Sequence, residues 1–425
     1  MSTATEPQEA DPQSGFSSTP GAQSLRGAAR AYGQKVRGGD VGALPAVAGL
    51  IALVIVFTAL RPTTFPTAFN VANLINQSAA VIVIAMGLVF VLLLGEIDLS
   101  AGFAAGTAAA IMGIFMTNRG LAWPFALVLA LLAGAFMGSC IGTLVSYLGI
   151  PSFVVTLAAF LALQGLLLVL IGEGGTIAYR NETVLAIMNN NLPIWLGWTI
   201  YVVGVGLYAL LTFRRSVSRR KAGLTGDVLS VWAFKTGAMV VILGLATYYL
   251  SRERSKNPAI TSLRGVPIVV VVLLFLLIVL TFALTRTSWG RHVYAIGGNG
   301  EAARRAGINV SVVKLSCFVT CSTLAAVAGV LLASRDNSVS PTTGGSSTLL
   351  YAVGAAVIGG TSLFGGKGRI VDAIIGGLVV AVIDNGMSLL NQSSGTVYMV
   401  TGLVLLIAAS VDALSRRRAA ATGHA

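Results

Sequence analysis

The sequence holds 425 residues, of which 55% are hydrophobic and 10% charged, with a mean hydropathy of +0.85. A soluble domain carries about 25% charged residues, so a water-soluble enzyme is excluded, and apolar runs of 17 to 26 positions match the ~20 residues that a helix needs to cross a bilayer. The net charge of +13 is a topology signal and not a nucleic-acid footprint, because Lys and Arg in a membrane protein mark its cytoplasmic loops.

Residues 1–43 are rich in Ser, Ala, Gly, Gln and Pro and carry Arg26, Arg30, Lys35 and Arg37. They are expected to form a disordered cytoplasmic tail rather than a cleavable signal. Spans are predicted at 44–60, 78–94, 99–116, 122–147, 152–171, 195–212, 228–250, 266–284, 312–333, 349–363, 371–390 and 396–414. The expectation is an all-α integral membrane fold, a polytopic helical bundle of about twelve spans with ten as the alternative. Residues 44–414 are expected to form the transmembrane domain and 415–425 a basic cytoplasmic tail. With both termini cytoplasmic, the inner segments hold 18 Lys and Arg and the outer ones 8, as the positive-inside rule requires. The outer loop 251–265 supplies Arg252, Arg254, Lys256 and Arg264, half of that external total.

A shift of 264 positions superposes Gly95, Leu99, Gly102, Ala109 and Gly113 on Gly359, Leu363, Gly366, Ala373 and Gly377. This is a weak internal duplication of the kind common in transporters. Glycines four apart at Gly134, Gly138 and Gly142, and at Gly102 and Gly106, are predicted to leave grooves for neighbouring helices, within the chain in preference to a dimer contact.

Catalytic constellations fail one by one. His292 and His424 assemble neither a zinc site nor a hydrolase triad, and Asp372 and Asp384 lie ~18 Å apart along one helix, too far to share a proton. Cys140, Cys317 and Cys321 sit in apolar runs and read as packing residues. The stretch Gly365-Gly366-Lys367-Gly368 lacks the Ser or Thr that a phosphate-binding loop needs after its lysine. No metal or cofactor is therefore assigned to this chain, and any ATPase must be another polypeptide. Glu96, Asp98, Lys314 and Asp372 read as anchored helix ends, whereas Asp384, with Asn385, either lines a polar path or packs. The inner loop 285–311 is predicted to be a turn and then a short exposed helix, with Asn299 as N-cap, Glu301 in its first turn and Gly307 as its stop. From these residues alone, a self-powered secondary transporter of a small polar solute remains the alternative.

The segment Gly297-Gly298-Asn299, Glu301-Ala302-Ala303-Arg304 and Gly307-Ile308-Asn309-Val310 resembles the cytoplasmic coupling segment of permease subunits from bacterial monosaccharide ABC importers, of the ribose, arabinose, galactose and xylose type. The likeness extends to Gly95-Glu96-Ile97-Asp98-Leu99-Ser100, to 149–157, and to 358–368, which contains Gly359-Gly360-Thr361. The extra spans at 195–250 and the stretch Asp384–Ser388 resemble the xylose branch most. Many relatives carry acidic residues at Leu349 and Tyr351, and often glycine at Glu96, so the sugar stays open. The resemblance implies a multi-pass protein of the bacterial inner membrane, working as a homodimer or a pair of related permeases. It also implies an ABC ATPase subunit that holds ATP and Mg, and an extracytoplasmic sugar-binding protein. In that scheme Asn299, Glu301, Ala302, Ala303, Arg304 and Gly307 couple to the ATPase. Thr156, Gln164, Asp384, Asn385, Ser388 and Asn391 are candidates for a neutral sugar path, which needs spaced hydrogen-bonding groups and little fixed charge.

Overall fold

The computed structural model describes residues 43–221, 229–255, 257–258 and 262–421. The expected tail 1–43 thus lies outside the described residues except for Ala43, as do the last four residues of the C-terminal one. Every one of the twelve predicted segments contains a helix, and the boundaries follow local chemistry.

Helices α1 (Leu44–Leu60), α2 (Ala68–Leu93), α3 (Ala101–Gly113), α4 (Trp123–Ser146) and α5 (Ser152–Ile171) form the first half. Helix α2 starts ten residues before its predicted span. Thr67 caps it by accepting from the Asn70 amide, and the polar run Asn70, Asn76, Gln77 and Ser78, which breaks the apolar pattern, is helical nonetheless. Helix α3 ends in a π-helical turn, Ile114–Asn118. Strand β1 (Ile177–Ala178) and the short α6 (Glu182–Asn189) follow. Next come α7 (Ile194–Lys221), α8 (Leu229–Ser251) and α9 (Val269–Arg286), the short pair α10 (Ser288–Gly298) and α11 (Gly300–Arg305), and α12 (Val310–Asp336). Strand β2 (Ser338–Val339), α13 (Ser346–Ile358), α14 (Ile370–Leu389) and α15 (Ser394–Ala421) complete the chain. Helix α15 carries the basic stretch expected as a separate tail up to Ala421.

Among the described residues nine helices are long and apolar enough to cross a membrane, while α1, α13 and the apolar part of α15, Ser394–Ser410, are shorter. The protein is an all-α polytopic membrane protein, and among the described residues the sheet is limited to the antiparallel pair β1–β2, with Ile177 opposite Val339.

The chain divides into two compact units. In the described part of one, 198–221 and 229–246, Tyr201 donates to the Val240 carbonyl (2.9 Å) and the Trp232 indole to Thr212 (3.0 Å), which joins α7 to α8. In the other, α12 is the axis and packs on α2, α3 and α4. The Gly134, Gly138 and Gly142 ladder of α4 lies against it. A Cβ at Gly138 would come within 2.6 Å of the Phe318 carbonyl and one at Gly134 within 2.7 Å of that of Ser322, so this groove is filled from within the chain. The Gly102 and Gly106 groove of α3 is filled differently from expectation. Its occupant is not a helix but the non-helical segment 340–345, whose Thr343 and Gly344 carbonyls lie directly against the two glycines. At the contact itself Gly344 and Gly345 are buried in protein, the condition under which irregular backbone is tolerated at membrane depth.

Candidate functional site

Three loops distant in sequence converge at one end of the bundle. After α2 the chain turns at Gly95 and runs through Asp98 to Ser100. After α13 it turns at Gly359-Gly360 and runs to Arg369, and between them lies the end of α10. The Gly366 amide donates to the Leu93 carbonyl (2.8 Å), Tyr294 of α10 donates to the Gly368 carbonyl (2.7 Å), and Glu96 pairs with Lys314 at the start of α12. Gly297 is the closest approach: any Cβ there would collide with the Leu93 carbonyl and lie 2.7 Å from the Gly366 nitrogen. The two loops that match in the 264-residue shift are therefore in direct contact.

Of the family-motif residues, Asp98, Ser100, Gly359 and Thr361 are buried, Gly360 is half-buried and Gly95 is exposed. Asp98 and Ser100 are fully buried, and Asp98 accepts from the Ser100 amide (2.9 Å) and hydroxyl (2.6 Å). Thr361 is buried beneath Gly368, and Ser362, also buried, donates its amide to the Lys367 carbonyl (2.8 Å). Gly359 abuts the carbonyl of Asp372, whose carboxylate accepts from the Arg369 amide (2.8 Å) and guanidinium (2.8 Å). Burial, and after it the charge of Asp372, pushes the Tyr294 phenol above its ordinary pKa.

Helix α10 occupies residues predicted as a turn. Gly290 and Gly297 are where the helix touches other backbone, and Thr287 caps it through the Gly290 amide (3.2 Å). The Trp289 indole donates to Ser316 of α12 (2.7 Å), and its ring lies 5.3 Å from Phe90 of α2. Helix α11 then projects from this base. Asn299 caps it by accepting from the Ala302 amide (2.9 Å), Glu301 pairs with Arg304 (3.4 Å) and Arg305 (3.3 Å), and Ala303 is buried beneath. Gly307 ends it at φ +84°, a left-handed conformation that glycine adopts without strain, and no atom crowds it. Glu301, Arg304 and Arg305 have side chains 58–79% exposed. Residues 299–307 thus form a short capped helix and its stop, exposed on one side and seated on a glycine-packed base.

The candidate path residues do not gather in one place. Thr156 is fully buried beside the converging loops, where its hydroxyl donates to the Ser152 carbonyl (2.8 Å) and approaches that of Ile97 (3.3 Å). Gln164 is half-buried on α5. Asp384, Asn385, Ser388 and Asn391 stand near the other end of α14. Asn385 is buried and exchanges two amide hydrogen bonds with Asn70 of α2 (2.9 and 3.0 Å) and donates to Gln77 (3.3 Å). Asp384 is half-buried, and Ser388 and Asn391 are exposed. Sequence reasoning missed Asn70, Gln77 and Tyr351, which meet this group from α2 and α13. The signal for α2 was present as an uncommonly polar start to an apolar helix.

Among the described residues no group of three or more His, Cys, Asp or Glu converges on a common point, so nothing here composes a metal centre.

Residues 70–409 match the family described as branched-chain amino acid transport system / permease component. The chain is 36% identical to the xylose transport system permease protein of Escherichia coli K12 over 372 residues, 88% of this chain and 92% of that one. It is 34% identical to the xylose transport system permease protein of Haemophilus influenzae over 87% of this chain and 96% of that one. To the ribose import permease protein of Escherichia coli K12 it is 30% identical, over 85% and 91% respectively. No solved structure matches the chain. A polytopic helical fold together with a family match across four fifths of the sequence shows that this chain is a multi-pass membrane permease belonging to that transport-system permease family.

Proposed function

We propose that the chain is the membrane-spanning subunit of an ABC importer for a monosaccharide, a pentose such as xylose. The observation that carries this reading is the exposed helix 300–305, capped by Asn299, stopped by Gly307 and seated by Gly297 on the loops that follow α2 and α13. Such a helix has little packing of its own to do. It suits insertion into a cleft of an ATPase subunit, whose closure on ATP and Mg would displace the base as a unit. Asn299, Glu301, Ala302, Ala303, Arg304 and Gly307 are the coupling residues in this scheme. Gly95, Asp98, Ser100, Gly359, Gly360 and Thr361 form the base.

An extracytoplasmic sugar-binding protein delivers the substrate, and a second permease copy completes the assembly in the lipid bilayer. The chain performs no bond chemistry. The sidedness has its own support. Loop 251–265 is tied to the loop before α7 by the Arg254 guanidinium on Asn191 (2.8 Å) and by the Leu192 amide on the Val266 carbonyl (2.8 Å). Tyr249, at the end of α8, hydrogen-bonds to Pro66. The twelve-span count puts all three loops outside, and it puts the three converging loops inside with both termini. The test is a mild-detergent pull-down of the tagged chain from its native membrane. An ATPase subunit is expected with the wild type and lost with Gly307→Val, while that variant remains folded in the membrane. A wild-type chain that comes out alone and drives uptake from an ion gradient would replace this reading with the secondary transporter.

A further inference from the structure

Resting on the monosaccharide reading, we infer that Tyr351 and Asp384 form a hydroxyl-recognition subsite for the sugar in transit, with Tyr398 as an aromatic wall. Helices α13 and α14 lie against each other with Gly359 on Asp372 at one end and Tyr351 on Asp384 at the other. The Tyr351 hydroxyl is 3.5 Å from the Asp384 carboxylate, the outer limit of a hydrogen bond. Among the described residues this is the only hydrogen bond of the Asp384 carboxylate. A carboxylate offers about four acceptor positions, so most of its capacity is open. Tyr398 of α15 stands with its ring centroid 6.3 Å from that of Tyr351 and is 54% exposed. Ser347, one turn before Tyr351, and Ser388, one turn after Asp384, share the same helix faces and are half-buried and exposed.

Each simpler explanation of Asp384 meets an obstacle. Facing lipid, a carboxylate in a membrane helix is expensive. As half of an ion pair it lacks a dedicated partner, since Arg335 of α12 already binds Asp336 (2.8 Å). As a packing contact, a 3.5 Å hydroxyl is poor compensation, especially beside Asn385, whose amide is fully engaged by Asn70 and Gln77. That engagement fixes the rotation of α14 and so the direction in which the neighbouring Asp384 points. A carboxylate with free acceptor positions, a phenol able to donate and accept, flanking serines and an accessible aromatic face together match a neutral polyhydroxyl ring. Two adjacent sugar hydroxyls donate to Asp384, and a C–H face of the ring lies on Tyr398.

The test uses the complete importer, this chain with its ATPase and binding protein, in proteoliposomes. It measures uptake of xylose and of each monodeoxyxylose, with every sugar saturating the binding protein. Asp384→Asn is expected to lower xylose uptake about tenfold, as loss of a charged hydrogen-bond acceptor does. It should leave uptake of the deoxy sugar that lacks the recognised hydroxyl within about twofold of wild type, with ATP hydrolysis stimulated as before. Tyr351→Phe removes one hydroxyl with no change in shape and is expected to reproduce the loss of discrimination in smaller measure, which keeps the test sound if Asp384→Asn fails to assemble. Equal losses for all sugars, or unchanged discrimination in both variants, would assign the pair to packing and overturn the subsite alone. A wild-type importer that moves no monosaccharide would overturn the function reading and the subsite with it.

Discussion

The Gly366 amide binds the Leu93 carbonyl across 2.8 Å, and Gly297 of α10 seals the joint from above. The base of α11 is thus fastened simultaneously to the end of α2 and to the loop after α13, so a displacement of α11 is felt by both.

Gly297 and Gly298 are adjacent, yet a Cβ at Gly297 would collide with backbone whereas one at Gly298 meets nothing within 4 Å. Gly297→Ala is therefore expected to cost about 1–3 kcal/mol through forced separation of packed backbone and to abolish most uptake. Gly298→Ala should be close to neutral. Thermal unfolding in detergent, read beside uptake, checks the contrast, and equal behaviour of the two variants would refute it.

The Glu96–Lys314 pair joins the loop after α2 to the start of α12, with side chains only 17% and 25% exposed. Removing one partner at such a site leaves a poorly solvated charge. Glu96→Gln or Lys314→Met should each destabilise by about 1–3 kcal/mol, between the values for exposed and fully buried pairs. The exchange Glu96→Lys with Lys314→Glu should recover part of that loss. A double-mutant cycle measures the coupling, and a value near zero would show that the pair is incidental.

Glu253 organises the described part of the loop that follows α8. Its carboxylate accepts from the amides of Arg254 (3.0 Å), Ser255 (3.0 Å) and Leu263 (2.9 Å), from the Ser262 hydroxyl (2.7 Å) and from Arg264 (2.8 Å). The Ser255 amide foremost, then Ser262 and Leu263, hold its pKa down at about 2, against an ordinary 4.5. Because the folded value lies below the unfolded one, this contribution is complete above pH 4.5 and is lost as pH falls through about 2. Cleavage of the loop by an acid-active protease should be slower in wild type than in Glu253→Gln at pH 5, and the two rates should converge toward pH 2. A ratio that does not change with pH would exclude the mechanism.

Much of the fold was legible because apolar runs fix helices almost to the residue: Leu44–Leu60 and Ser152–Ile171 coincide with their predicted spans. Legibility failed where one residue type serves two ends. Gly290 and Gly297 signal turns in a free chain but allow close helix contact here, so α10 was hidden. Asn70 and Gln77 look too polar for a span and are retained because Asn385 satisfies them from far along the sequence. For the site, the caps of α11 follow from local spacing, since Asn299 and Gly307 act within one turn. The meeting of the three loops, and of Tyr351 with Asp384, depends on long-range packing that no local pattern encodes.

The segment laid in the α3 groove bears on how the protein is made. Helix α13 has 13 residues, a length of ~20 Å against a hydrocarbon core of ~30 Å. The segment before it, 340–345, is turn backbone in which the Thr343 amide bonds to the Ser340 carbonyl and the Gly345 amide to the Thr342 carbonyl (each 3.0 Å), and without the full pairing of a helix it is unsuited to lipid. Such a segment cannot leave the insertion machinery as an independent span. It has to wait until the glycine face of α3, synthesised more than two hundred residues earlier, is in position to receive it, so the second half of the molecule is assembled on the first as its template.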